Sequence, residues 1–120
     1  MSNGIRAIIV LPFIVVGCAT ERQAVPPLPP SDLVAALRDK AGHVCNPQSA
    51  AALAARGVTA ADIASGFYLA VSSGGREGGR RTGWEAWITL FGQSGSIVID
   101  HTLDCGVRQI YTRDGARLPR

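Results

Sequence analysis

The chain has 120 residues, 47% of them hydrophobic and 18% charged, with 12 Lys and Arg against 9 Asp and Glu. That length allows one small domain and excludes a multidomain enzyme. No apolar run approaches the roughly 20 residues that a membrane-spanning helix needs, so a multi-span membrane protein is also excluded.

The N-terminus carries one cation, Arg6, ahead of the apolar stretch from Ala7 to Gly17. This stretch has the length of a signal-peptide core and is too short to cross a bilayer. Pro12 in its middle would kink a permanent helix. Val15-Val16-Gly17-Cys18 then follows in register. This leader resembles that of the bacterial lipoproteins, whose lipobox places two aliphatic or small residues and a small residue before the lipidated Cys. The resemblance implies a signal peptide over 1–17, diacylglycerol in thioether linkage on the Cys18 sulfur, cleavage before Cys18, and acylation of the new N-terminus by a fatty acid such as palmitate. Ala19 rather than Asp at the next position implies the periplasmic face of the outer membrane. Two or more acyl chains anchor a protein stably, whereas one does so only marginally.

After removal of residues 1–17 the net charge is +2, too small a bias to suggest nucleic acid as a partner. Residues 18–30 hold the lipidated Cys and a Pro-rich tether, with four of the seven prolines between Pro26 and Pro30. Such a stretch favours polyproline II and spaces a domain from the lipid surface.

The folded domain is expected over 31–120. Ser31 is a good N-cap, Asp32 suits the first turn, and Leu33, Ala36 and Leu37 fall at helical spacing, with Gly42 as terminator. A second helix starts at Asn46 with Pro47 at its first position and ends at Arg56-Gly57. A third piece begins at Thr59, where Asp62 makes a variant capping box, and ends at Gly66. From Phe67 the period changes to that of strands. Four are predicted, over 67–72, 84–91, 96–103 and 107–112, separated by short turns and by the Gly/Arg loop 72–83. The expectation is an α+β fold, with short N-terminal helices packed on a three- to four-stranded antiparallel meander. The order of elements is loosely similar to small helix-then-meander envelope lipoproteins, with no shared residue motif.

Cys45 and Cys105 remain once Cys18 is committed to lipid. In an oxidising compartment they suit a disulfide closing a span of 60 residues. The alternative is a metal site or enzyme using His43, Cys45, His101 and Cys105, although the spacing is not that of a zinc finger. An Asp100–His101 triad with Ser94 or Ser96 is disfavoured, because adjacent strand residues point to opposite faces. No metal or cofactor is expected.

Arg76, Arg80 and Arg81 stand in the loop 72–83 among five glycines, with Glu77 its one acid. Guanidinium groups there suit phosphates or carboxylates of peptidoglycan, lipid A or phospholipid headgroups. Trp84 and Trp87 fall on opposite faces by parity, so one of them, taken as Trp87, is available as an aromatic anchor beside the arginines. The expected function is a membrane-anchored periplasmic lipoprotein with a non-catalytic binding or scaffolding role. Its expected partners are the membrane, through the lipid, and an envelope protein or peptidoglycan. Recognition of an anionic envelope ligand by loop 72–83 is the alternative.

Overall fold

The structure is a computed structural model that describes residues 28–74 and 79–119. The signal peptide, Cys18, most of the tether, Arg76 and Glu77 lie outside the described residues. Among the described residues no helix is long and apolar enough to cross a membrane.

Two helices precede a four-stranded antiparallel sheet, an α+β fold. Helix α1 spans Ser31–Lys40. Ser31 is already helical rather than a cap: Pro30 precedes it and its carbonyl accepts the Val34 N–H. The helix ends two residues before Gly42, because Ala41 is extended and turns its carbonyl to the Asn46 side-chain amide at 2.8 Å. Helix α2 spans Asn46–Ala55 and closes at Gly57, which takes φ +84°. Its N–H donates back to the Ala54 carbonyl, as a glycine C-terminal cap does.

The Thr59–Asp62 capping box is present, with the Asp62 carboxylate accepting from the Thr59 N–H at 2.8 Å. It caps only a single 3-10 turn, Ala60–Asp62. The expected third helix is therefore replaced, from Ile63 on, by strand β1, Ile63–Ser73. Pairing of Ile63 with Leu90, together with donation of the Phe91 N–H to the Asp62 carbonyl, draws this segment into the sheet. Gly66 is thus not a helix terminator but a strand residue, where a Cβ would press on the tip of the Ile88 side chain.

Strands β2 (Arg80–Leu90), β3 (Ser96–Thr102) and β4 (Val107–Arg113) complete a meander in the order β1-β2-β3-β4. The β2–β3 turn needs Gly95, at φ +81°, where any Cβ would run into the backbone of Arg113 and Asp114. One sheet face carries Ala86, Ile88, Leu90, Ile97 and Ile99, and it is covered by Leu33 and Leu37 of α1 and Ala50 and Leu53 of α2.

Cys45, just before α2, and Cys105, in the β3–β4 turn, form a disulfide with Cα atoms 5.0 Å apart. Cys105 takes φ +72°, a costly conformation for a residue with a side chain, and the bridge sits at that point. Closing a loop of 60 residues removes unfolded-chain entropy worth about 4 kcal/mol. Replacing both cysteines with alanine is expected to lower the unfolding free energy by that amount, measured by urea denaturation at neutral pH. A loss below about 1 kcal/mol would mean the helices hold their place without the bond.

Candidate functional site

The chemistry-bearing side chains gather at the end of the sheet where β2 and β4 begin and β3 ends, and they separate into a buried and a more exposed set. The buried set joins α2 to the sheet. His101 on β3 is fully buried, as is Ser49 on α2. Ser49 Oγ lies 2.8 Å from His101 Nε2 and 2.8 Å from the Tyr68 hydroxyl. The Tyr68 hydroxyl donates to Asn46 Oδ1 at 2.8 Å, and His101 Nδ1 lies 2.9 Å from the Cys105 carbonyl.

The protons in this chain can be counted. A carbonyl only accepts, so His101 Nδ1 carries the proton and Nε2 is left to accept from Ser49. The Asn46 amide nitrogen is used on Ala41, so its oxygen accepts from Tyr68. Four contacts between two terminal acceptors share three protons while His101 is neutral. An imidazolium would supply the fourth. Burial of that charge costs several kcal/mol, against about 1 for one added hydrogen bond, so the neutral ring wins. In agreement, burial pushes the His101 pKa below 6.5, outweighing the Cys105 carbonyl and Asp100.

Ser49 and His101 have the separation of a nucleophile and its base. Neither is open to solvent, and the residue that orients the ring is a backbone carbonyl rather than a carboxylate. Asp100 points to the other sheet face and pairs with Arg108 at 3.4 Å, so it does not orient His101. The metal alternative fails on its donors: the Cys45 and Cys105 sulfurs are bonded to each other and supply no thiolate. His43 Nδ1 accepts the Cys45 N–H at 3.0 Å, and His101 is engaged through both nitrogens. Among the described residues no group of three or more His, Cys, Asp or Glu is placed to hold a metal.

The second set, with half-buried rings and arginines at the surface, lies just outside. The His43 ring stacks on Tyr68 with centroids 3.9 Å apart and meets Trp84 edge-on at 4.7 Å. The Arg81 guanidinium sits 4.7 Å from the centre of the Trp84 ring. Arg108, from β4, crosses to donate to the Thr82 carbonyl at 2.8 Å. Beside it β2 needs Gly83, because a Cβ there would run into the His101 carbonyl on β3. Arg80, Arg81 and Arg108 therefore share one end of the sheet.

Trp87 does not belong to this end. It is six residues beyond Arg81, about 20 Å along a strand, and on the opposite face from Trp84. There it stacks against Phe67 at 6.0 Å, and Arg113 lies 5.3 Å from its ring centre. Its Nε1 is buried without a hydrogen-bond partner. The proposed grouping of Trp87 with Arg80 and Arg81 is thus corrected: the indole beside Arg81 is that of Trp84, and both arginines belong to strand β2, paired with Ser73 and Ser72 of β1, rather than to the expected loop 72–83. The C-terminal segment is also separate, since the Arg117 backbone exchanges two 3.0 Å bonds with Gln93 at the far end of β2.

Sequence reasoning missed Ser49 as the partner of His101, and Tyr68 and Asn46 beyond it in the same chain of hydrogen bonds. A signal existed: Asn46, Ser49, Ala50 and Leu53 fall on one helix face, so Ser49 is a polar residue on the buried side of α2. Compared with family models, with curated proteins and with solved structures, the chain matches none.

The pKa of His101 is lowered by burial, and that of His43 by burial and by the nearby His101. The unfolded chain then takes up protons near pH 6.5 that the folded chain refuses. Stability is expected to be full above that pH and to fall as the pH drops below it. Urea unfolding at pH 7.5 and 5 tests this against the variant His101→Gln, which should flatten the dependence.

Proposed function

We propose that the chain is a lipid-anchored protein of the bacterial envelope, held by Cys18 at the periplasmic face of the outer membrane. Its domain acts as a binding or scaffolding module rather than as an enzyme. The observation that carries the reading is the Cys45–Cys105 disulfide. A small domain stapled in this way suits an oxidising compartment, and the lipobox resemblance points to the same place. Two further features support a binding role. The Ser49–His101 pair is sealed beneath α2, where no substrate reaches it. The aromatic residues Phe67 and Trp87 instead face outward from the uncovered side of the sheet.

The alternative partner is an anionic envelope ligand at the loop end of the sheet. Arg108, which sequence reasoning did not place there, favours it by joining Arg80 and Arg81. Guanidinium groups take phosphate or carboxylate in a fork geometry.

Metabolic labelling with radioactive palmitate tests the anchor. Label is expected on the wild-type chain and absent from Cys18→Ser, which moves from the membrane to the soluble fraction. Unlabelled wild-type protein, or a Cys18→Ser protein that stays with the membrane, overturns the reading. Pelleting with purified peptidoglycan tests the partner. Serine at Arg80, Arg81 and Arg108 together should abolish pelleting if the arginines bind, and leave it unchanged if the module serves another protein.

A further inference from the structure

The two edges of the sheet are built differently. β4 is short and carries Arg108 and Arg113. β1 is 11 residues long, Ile63–Ser73, and contains no charged residue and no proline. It pairs on one side only, with β2. Among the described residues, no other strand and no loop backbone bonds to its outer edge from Phe67 to Val71. Of its 11 residues only Ile63 is buried. Phe67 and Leu69, on the uncovered face, are 50% and 45% exposed. Edge strands of soluble domains are normally blunted by charge, proline or brevity, because a bare edge is a template for another strand.

We propose that the outer edge of β1 pairs antiparallel with β1 of a second copy of this chain, giving a continuous eight-stranded sheet about a two-fold axis. An antiparallel strand is its own complement, so the contact is isologous and closes at the dimer. The sequence around Leu69 fits such an axis. With Leu69 opposite Leu69 of the partner subunit, Phe67 and Val71 of each copy face one another across the junction. The uncovered faces then join into one apolar strip flanked by Trp87 of each copy, which stacks on Phe67. On the helix-covered face Tyr68 and Ala70 meet, again without charge. No pair in this register sets like charges against each other, whereas the edge of β4 is blunted by its two arginines. A second copy is preferred to a foreign peptide because this strand supplies both halves of the match. The inference uses only β1 and its neighbours and stands apart from the envelope reading.

A junction of two short strand segments is smaller than a standard interface, so the measurement spans micromolar concentrations. Sedimentation equilibrium of the full chain in density-matched detergent, across that range, tests it. The expected result is a monomer–dimer equilibrium. Leu69→Lys weakens it at least tenfold by setting two ammonium groups on the axis, while Val107→Lys on the β4 side leaves it unchanged. Circular dichroism checks that both variants fold. A measurement free of any variant accompanies it: hydrogen exchange of those alternate wild-type amides between Phe67 and Val71 that point away from β2 slows as protein concentration rises. A monomer throughout overturns the proposal, as do assemblies that grow beyond the dimer. It is also overturned by a dimer broken by Val107→Lys and spared by Leu69→Lys, or by β1 exchange that ignores concentration.

Discussion

Helix α2 is a short run of small residues, and its buried apolar contribution is little more than Ala50 and Leu53. Burial on that scale, at roughly 25 cal/mol per Å² of apolar surface, does not by itself fix where a ten-residue helix lies on a sheet. Two pins do so. The Cys45–Cys105 bond ties the residue before the helix to the β3–β4 turn, and Ser49, one turn on, bonds His101 inside the sheet. The two pins meet at Cys105, whose carbonyl holds the imidazole and whose sulfur holds the helix. Positive φ at that residue is tolerated because both attachments over-determine its position.

The cost of this arrangement is a buried polar chain that must be satisfied member by member. Asn46, Ser49, Tyr68 and His101 each find a partner, and the partners come from the helix, β1, β3 and the β3–β4 turn. Every layer thus meets at this end of the domain. The opposite end is held differently, by the Thr59–Asp62 cap and by Gln93 gripping the backbone of Arg117. With only two layers, the sheet has one face left without helices. It is partly covered by its own side chains: the Tyr111 hydroxyl reaches Glu85 on β2, so the ring lies across β3 and Val98 beneath it is fully buried. Phe67 and Leu69 on β1 receive no such cover.

Much of this was legible from residue patterns. The alternation of Trp84 to Leu90 identified β2 and its two faces, and Gly92 to Gly95 identified the turn after it. Pro47 and Gly57 bounded α2 closely, and the oxidising environment implied by the leader made the pairing of Cys45 with Cys105 the natural one. The segment from Ile63 to Gly66 misled, because a capping box and a glycine terminator are the same locally whether one turn or two follow. What ended the helix was the ladder to β2, a partner 25 or so residues away in sequence. Ser49 was passed over for a similar reason. In an alanine-rich helix a serine looks neutral until the ring opposite it is known.

By itself the sequence indicated helices followed by a strand meander, the alternation of faces on each strand and the lipobox resemblance, since these depend on neighbours a few residues apart, while the pairing of Cys45 with Cys105 followed from the cysteine count and the compartment that the leader implies. Tertiary structure alone decided that His101 answers to Ser49. It also separated the indole of Trp84, beside the loop-end arginines, from that of Trp87, and left β1 with a bare edge. Each of these rests on register between strands or on the seating of a helix. Such long-range placement is set by how apolar faces close on one another, and no local pattern encodes it.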